Sequence, residues 1–299
     1  MISLAPFRFR NVLESDGGPI SRVSLHAFPV YGRNMYQANV WLADRPWAGS
    51  RKSELYSDAD GTGSAESPML ARHRAISEAL ERWAYHSKVH AADGELYGFD
   101  VDASSNGMAA FPGLLVGQAR KHALMEAVER ASLLAWWEGL IDGERRATEW
   151  PEVSALVLPS PLGVGVTVIA WREVCPGCFA YGHAASADFF GACERAVVEL
   201  ARNEYVLTLH RLANQLGDSV APKELFERRC LFFSSPTGHA LFQERLNRQK
   251  PPISHRYRAQ ILHDCEIPGP WSRYATVWRV VTRPPSNAFL ANTERYFFW

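Results

Sequence analysis

Cysteine is scarce in this chain of 299 residues. The five present are an odd number, spread from Cys175 to Cys265. No framework of close pairs can be drawn from them, which excludes a small disulfide-stapled scaffold. Net charge is also absent: 32 basic and 32 acidic side chains cancel. The whole molecule therefore exerts no general pull on nucleic acid or anionic membrane. No apolar run approaches the roughly 20 residues that cross a bilayer, and MISLAPFRFRNVLES has no stretch resembling a secretion signal. The expectation is a cytoplasmic protein with neither nucleic acid nor membrane as partner. Apolar residues make up 47% and aromatics 12%, with ten tryptophans, enough for a large core.

The chain reads as α+β. Residues 20–42 are rich in Val, Tyr and Trp and near-alternating, which predicts strands of an antiparallel or mixed sheet. A polar stretch follows over 43–68. Residues 69–89 place Leu70, Ile76, Leu80 and Trp83 at helical spacing. Asp100 to Ala110 reads as a loop with an Asn-Gly turn, and a second helix runs from about Val116 to Trp137. After a Pro-rich connection, two strand-like runs meet at Pro176-Gly177. A third helix is expected over roughly 188–212, and another strand pair over 256–283 around Pro268-Gly269-Pro270. No linker or composition break divides the chain, so one domain over 1–299 is expected.

The three helices echo one another: AISEALER from Ala75, ALMEAVER from Ala123 and AVVELAR from Ala196. Carboxylates at i and i+3 share a helix face. Glu78–Arg82 and Glu126–Arg130 could be ordinary i,i+4 ion pairs on a solvated surface. Two near-identical copies opposed across a cleft would instead gather Glu78, Glu81, Glu126 and Glu129, a set that suits a hard cation such as Mg²⁺. Arg130 and Arg195 would then be natural phosphate partners.

These helices, the Ser105-Asn106-Gly107 segment before the second, and Tyr181-Gly182-His183 ahead of the third together resemble the YcaO family. The resemblance is clearest over 15–215 and weaker over 216–299. It implies a single YcaO-like domain of antiparallel or mixed sheets packed with helices, with a nucleotide and metal cleft lined by the three related helices. It also implies ATP- and Mg²⁺-dependent activation of a peptide backbone amide, of cyclodehydratase or thioamide-synthase type, in maturation of a ribosomally made peptide. The nucleophile is a Cys, Ser or Thr side chain for azolines, sulfide for thioamides, or an amine for amidines. Phosphorylation turns the amide oxygen into a leaving group, and the protein's part is positioning and charge neutralisation. Carried over by position, Glu78, Glu81, Glu126 and Glu129 match metal ligands, while Arg130, Arg195 and Glu199 match positions at or beside the nucleotide. No catalytic residue follows from it. The partners implied are a precursor peptide or protein substrate and a separate leader-binding or nucleophile-delivering protein, with a homodimer among the expected assemblies.

Several positions depart from the family pattern. Arg74 stands where a Ser is frequent, Thr62 where a Lys is common, Ala109 and about Leu114 replace a Ser and an Asn, and Gln118 replaces a Glu. The chain ends Glu294-Arg295-Tyr296-Phe297-Phe298-Trp299, without the Pro-rich tail of azoline-forming members. A second reading follows, a non-catalytic YcaO-like scaffold or peptide-binding subunit. Arg74, one turn before Glu78, either pairs with Glu78 in the metal's place or reaches the phosphates as a cofactor-binding residue.

Other constellations have plainer explanations. Cys175-Pro176-Gly177-Cys178 has the spacing of a zinc half-site or redox pair, and equally that of a hairpin turn. His183 could face a cleft or be structural. Ser254-His255 lacks an acidic partner, and Gly61-Thr62-Gly63 lacks the rest of a phosphate loop. Trp136-Trp137 and the aromatic tail are expected to fill core or interface, or to dock a partner.

Overall fold

The structure, a computed structural model, describes residues 9, 11–44, 55–101, 106–112, 116–217, 221–248, 257–291 and 293–299. Among these it contains five α-helices and three antiparallel sheets, the α+β mixture expected. Contacts divide the chain into two compact units, one comprising 1–52, 58–127 and 261–282, the other 53–57, 128–260 and 283–299. Neither is continuous in sequence, which is why no linker marks their boundary.

In the first unit, β1 (Ile20–Ala27), β2 (Tyr36–Leu42) and β3 (Gly61–Ala65) form one sheet in that order. A second sheet has the order β4 (Asn106–Pro112), β10 (Ala275–Thr282), β9 (Ile261–Glu266). Helix α1 (Pro68–Lys88) starts with Pro at its first position, where the missing N–H leaves no bond unmade. Its face of Ala71, Ala75, Ile76, Ala79 and Leu80 is buried with Ala38, Val40, Met108, Trp271 and Val277.

The second unit holds β5 (Glu144–Arg146), β6 (Ser154–Pro159), β7 (Val166–Cys175) and β8 (Cys178–Ser186), hydrogen-bonded in that order. Helix α2 (Val116–Trp137) begins in the first unit and ends in the second. Helix α3 (Phe189–Leu216) is capped by Asp188, whose carboxylate accepts the Gly191 N–H at 2.9 Å, and closes on Gly217 at φ 79°. Helices α4 (Leu225–Ser234) and α5 (Pro236–Leu246) follow. Trp136, Trp137, Trp171, Tyr181, Phe233, Phe242 and Phe297 build the core of this unit. Phe297 is fully buried, so the aromatic tail is core.

Three segments differ from the sequence reading. Residues 106–110, expected in a loop, form the buried strand β4, with Gly107 facing Val280 on β10. Asn106 is there for its side chain, whose Oδ1 accepts from the buried Arg279 at 2.8 Å. Residues 61–65, expected in a polar connection, form β3. The Pro-rich connection contains β5 and β6, too short and too interrupted to read as strands. Ser105, Leu114 and Ser254-His255 lie outside the described residues.

Candidate functional site

The repeated helix motif meets a repeated strand feature. Strands β3, β4 and β8 are each at the edge of a sheet, and each carries a glycine against a helix. A Cβ on Gly61 would lie 2.1 Å from the Ala75 carbonyl oxygen and 2.5 Å from the Ala79 nitrogen. On Gly107 it would meet the Ala123 oxygen at 2.1 Å and the Ala127 nitrogen at 2.4 Å, and on Gly182 the Ala196 oxygen and Leu200 nitrogen at 2.2 Å. Only a strand glycine over the first small residue of A-φ-x-E permits such an approach.

The glutamate three residues on then reaches the strand. Glu78 Oε2 accepts from the Thr62 N–H at 2.9 Å and the Thr62 hydroxyl at 3.2 Å. Glu126 Oε2 accepts from the Met108 N–H at 2.8 Å. Thr62 and Met108 each directly follow the glycine. An edge strand leaves alternate N–H groups without a sheet partner, and the helix carboxylate supplies one. The third copy differs. Glu199 receives Arg202 Nη1 at 2.8 Å, and it is Glu129, on α2, that accepts the Ala185 N–H of β8 at 3.2 Å.

Glu129 Oε1 also lies 2.8 Å from His183 Nδ1. Burial pushes the Glu129 carboxyl up, but the His183 hydrogen bond and charge, with Arg195 and Arg130 nearby, hold it below the usual carboxylate range. This Glu–His contact is the feature that sequence reasoning came closest to without pairing; its signal was the Gly182-His183 step before α3.

The remaining site residues are placed as follows. Arg82 pairs with Glu78 Oε1 at 2.7 Å, the ordinary i,i+4 bridge. Arg74 Nη1 donates to the Ser64 carbonyl at 2.6 Å. Arg195 Nη1 donates to the Ala185 carbonyl at 3.1 Å, and the Arg130 guanidinium lies 5.8 Å from the Phe298 ring centroid. Glu81 is half-buried on α1. Glu78, Glu81 and Glu126 belong to the first unit and Glu129 to the second. Among the described residues no group of three or more His, Cys, Asp and Glu side chains is placed to hold a metal ion. Neither is any described helix long and apolar enough to cross a membrane.

With this geometry in hand, comparison with solved structures defines the class: the chain has a YcaO-like fold. A chain of the E. coli microcin synthetase McbBCD complex matches with a TM-score of 0.54 at 12% identity, over 87% of each chain. The same complex with pro-MccB17 bound matches at 0.54 and 13% identity, again over 87% of each. The YcaO from Methanopyrus kandleri bound with AMPPCP and Mg²⁺ matches at 0.51 and 15% identity, over 97% of this chain and 91% of that one. No family sequence profile matches the chain, and no curated protein matches it in sequence.

Proposed function

We propose that this chain is a YcaO-type subunit of a complex that modifies a ribosomally made precursor peptide, serving as a binding or scaffolding subunit. One observation carries the choice of role: the side chains expected to serve nucleotide and metal are engaged by the protein itself. Glu78 and Glu126 cap strand amides, Glu129 holds His183 and an amide, and Arg74 and Arg195 donate to carbonyls. Mg²⁺ demands near-octahedral oxygen ligands with carboxylates turned toward it. Glu78, Glu126 and Glu129 instead each give an oxygen to a strand amide, and Glu129 a second to His183. Support for a peptide substrate and partner proteins comes from the similar fold within a complex solved with pro-MccB17. One YcaO-like domain, a separate leader-binding or nucleophile-delivering partner, a homodimer and a cytoplasmic location belong to the same proposal.

A second reading keeps the chain an ATP- and Mg²⁺-dependent enzyme forming an azoline, thioamide or amidine. It is favoured by the similar fold bound with AMPPCP and Mg²⁺, and by the presence of Arg130, Arg195, Glu199 and the four glutamates at matching positions. Arg74 would then contact the nucleotide. Calorimetry with AMPPCP and Mg²⁺ separates the two. Absence of saturable binding at millimolar nucleotide supports the scaffold. Micromolar binding that weakens in Glu126→Gln, a variant retaining an amide-accepting oxygen, sinks the scaffold and supports the enzyme. Arg74→Ser extends the test: a nucleotide-contacting Arg74 predicts weaker binding in the variant.

A further inference from the structure

The hairpin of β7 and β8 carries a pair of thiols that the proposed function does not use. Cys175 and Cys178 are direct partners across the two-residue turn, both are free, and the two side chains are within hydrogen-bonding reach. Pro176 presets the first turn residue and Gly177, at φ 72°, takes the second, which requires positive φ. The Gly177 N–H donates to Glu173 Oε1 at 2.8 Å, fixing the turn from within the hairpin. Facing residues of an antiparallel pair have Cβ atoms about 4.5–5.5 Å apart, close to the roughly 3.8 Å of a disulfide. Closing an S–S bond therefore requires only a small local adjustment.

The two sulfurs differ in surroundings. Cys178 is 8% exposed, and burial, with Cys175 beside it, pushes its thiol above the ordinary range. Cys175 is half-exposed, and the exposed Arg211 on α3 directs Nη1 onto its sulfur. A guanidinium against one sulfur opposes entry of a cation between the pair, and the described residues bring no third ligand to it. Of the two sulfurs, Cys175 is the one an incoming group meets, with Arg211 beside it. Cys230 is a contrast: it is fully buried, its thiol is pushed up to about 11 chiefly by burial, and it is engaged by Asn203.

We propose that Cys175 and Cys178 form a thiol–disulfide exchange site, with Cys175 as the attacking and Cys178 as the resolving sulfur, whose substrate is an accessible disulfide. The Cys175 thiolate attacks one sulfur of that disulfide, forming a mixed disulfide and expelling the other half as a thiolate. Cys178 then loses its proton to solvent and attacks the Cys175 sulfur, closing the intramolecular bond and expelling the second half. Two protein thiols are oxidised, and one disulfide is reduced to two thiols. Arg211 acts as a positioning residue that favours the first attack.

The test uses the full chain incubated with oxidised glutathione, followed by alkylation and peptide mass spectrometry. The expected product is a Cys175–Cys178 disulfide without accumulated adduct. Cys178→Ser should trap glutathione on Cys175, and Cys175→Ser should leave Cys178 largely unmodified. Arg211→Gln should slow the first step several-fold, and Arg211→Lys should restore most of the rate. Independent adducts on both sulfurs with no internal disulfide overturn the proposal. So does tight binding of added zinc by the reduced chain that protects both thiols and is lost in either variant. An unchanged rate in Arg211→Gln removes Arg211 from the site.

Discussion

A glutamate that caps a strand and a glutamate that binds a metal differ in how they tolerate amidation. Glu126 gives one oxygen to the Met108 N–H. Glutamine retains an oxygen acceptor there, whereas alanine leaves the amide without that partner at a cost of about 1–3 kcal/mol. Glu126→Gln should therefore unfold in urea close to the parent, and Glu126→Ala well below it. Equal losses in the two variants would remove the capping role. The glycines permit a sharper contrast. Gly182→Ala forces a methyl to within 2.2 Å of the Ala196 oxygen and the Leu200 nitrogen, backbone atoms that yield only if β8 and α3 separate. A loss of at least about 2 kcal/mol is expected. Gly117, in the first turn of α2, has nothing within 4 Å of such a methyl. Gly117→Ala should be neutral or stabilise by up to about 1 kcal/mol, since alanine restricts the unfolded chain. Equal denaturation midpoints for the two variants would contradict the strand–helix contact at Gly182.

At the scale of elements, periodicity made the long helices legible, because each buries one apolar stripe over many turns. The strands of 20–42 and the β7–β8 hairpin were legible for a similar reason, β-branched and aromatic residues bounded by turn signals. Strands β3 and β4 were not. Gly61-Thr62-Gly63 and Asn106-Gly107 have the composition of turns, yet their glycines serve a helix approach and Asn106 serves Arg279. Neither purpose is visible in a local window. The A-φ-x-E repeat was legible as a repeat, but its use as a clasp was hidden until the edge strands were placed beside it. Helix α4 also performs a task that no local pattern announces. Its Arg229, 1% exposed, donates to the carbonyls of Phe289 at 2.6 Å, Thr293 at 3.0 Å, Ala291 at 3.3 Å and Phe298 at 3.4 Å. One guanidinium fork thus gathers the C-terminal segment around the buried Phe297. Arg229→Met preserves volume but leaves those carbonyls short of donors, and at least about 1–3 kcal/mol of stability should be lost. Carboxypeptidase digestion under native conditions checks the location of the damage. Early release of Trp299 and Phe298 from the variant is expected, and digestion as slow as in the parent would place the anchor elsewhere.

For the molecule as a whole, a formal charge of zero means that acid titration, rather than self-repulsion at neutral pH, is the first large electrostatic stress it meets. Asp264 on β9 reports on that stress within the first unit. Arg120, on α2, donates to its two oxygens through Nε at 3.0 Å and Nη2 at 2.6 Å, and the Trp278 indole donates to Oδ1 at 2.6 Å. The Arg120 hydrogen bond, aided by Trp278 and by the Arg120 charge, holds the carboxyl below its ordinary value against the opposing effect of burial. The folded state therefore binds this proton less readily than the unfolded chain does. Its stabilising contribution is complete above the unfolded carboxylate value of about 3.9 and is lost as pH falls through the lower folded value. Because Arg120 is exposed, solvent screening keeps the contribution small. Asp264→Asn removes the charge while leaving one acceptor oxygen. The difference in unfolding free energy between parent and variant should be constant from pH 7 to pH 5, then shrink toward zero as the parent's own carboxyl takes up its proton. High salt should reduce the neutral-pH difference without moving the acid limb far. A difference that stays constant down to pH 3 would show that Asp264 acts through packing alone, and that its pairing with Arg120 contributes nothing to the acid limit of the fold.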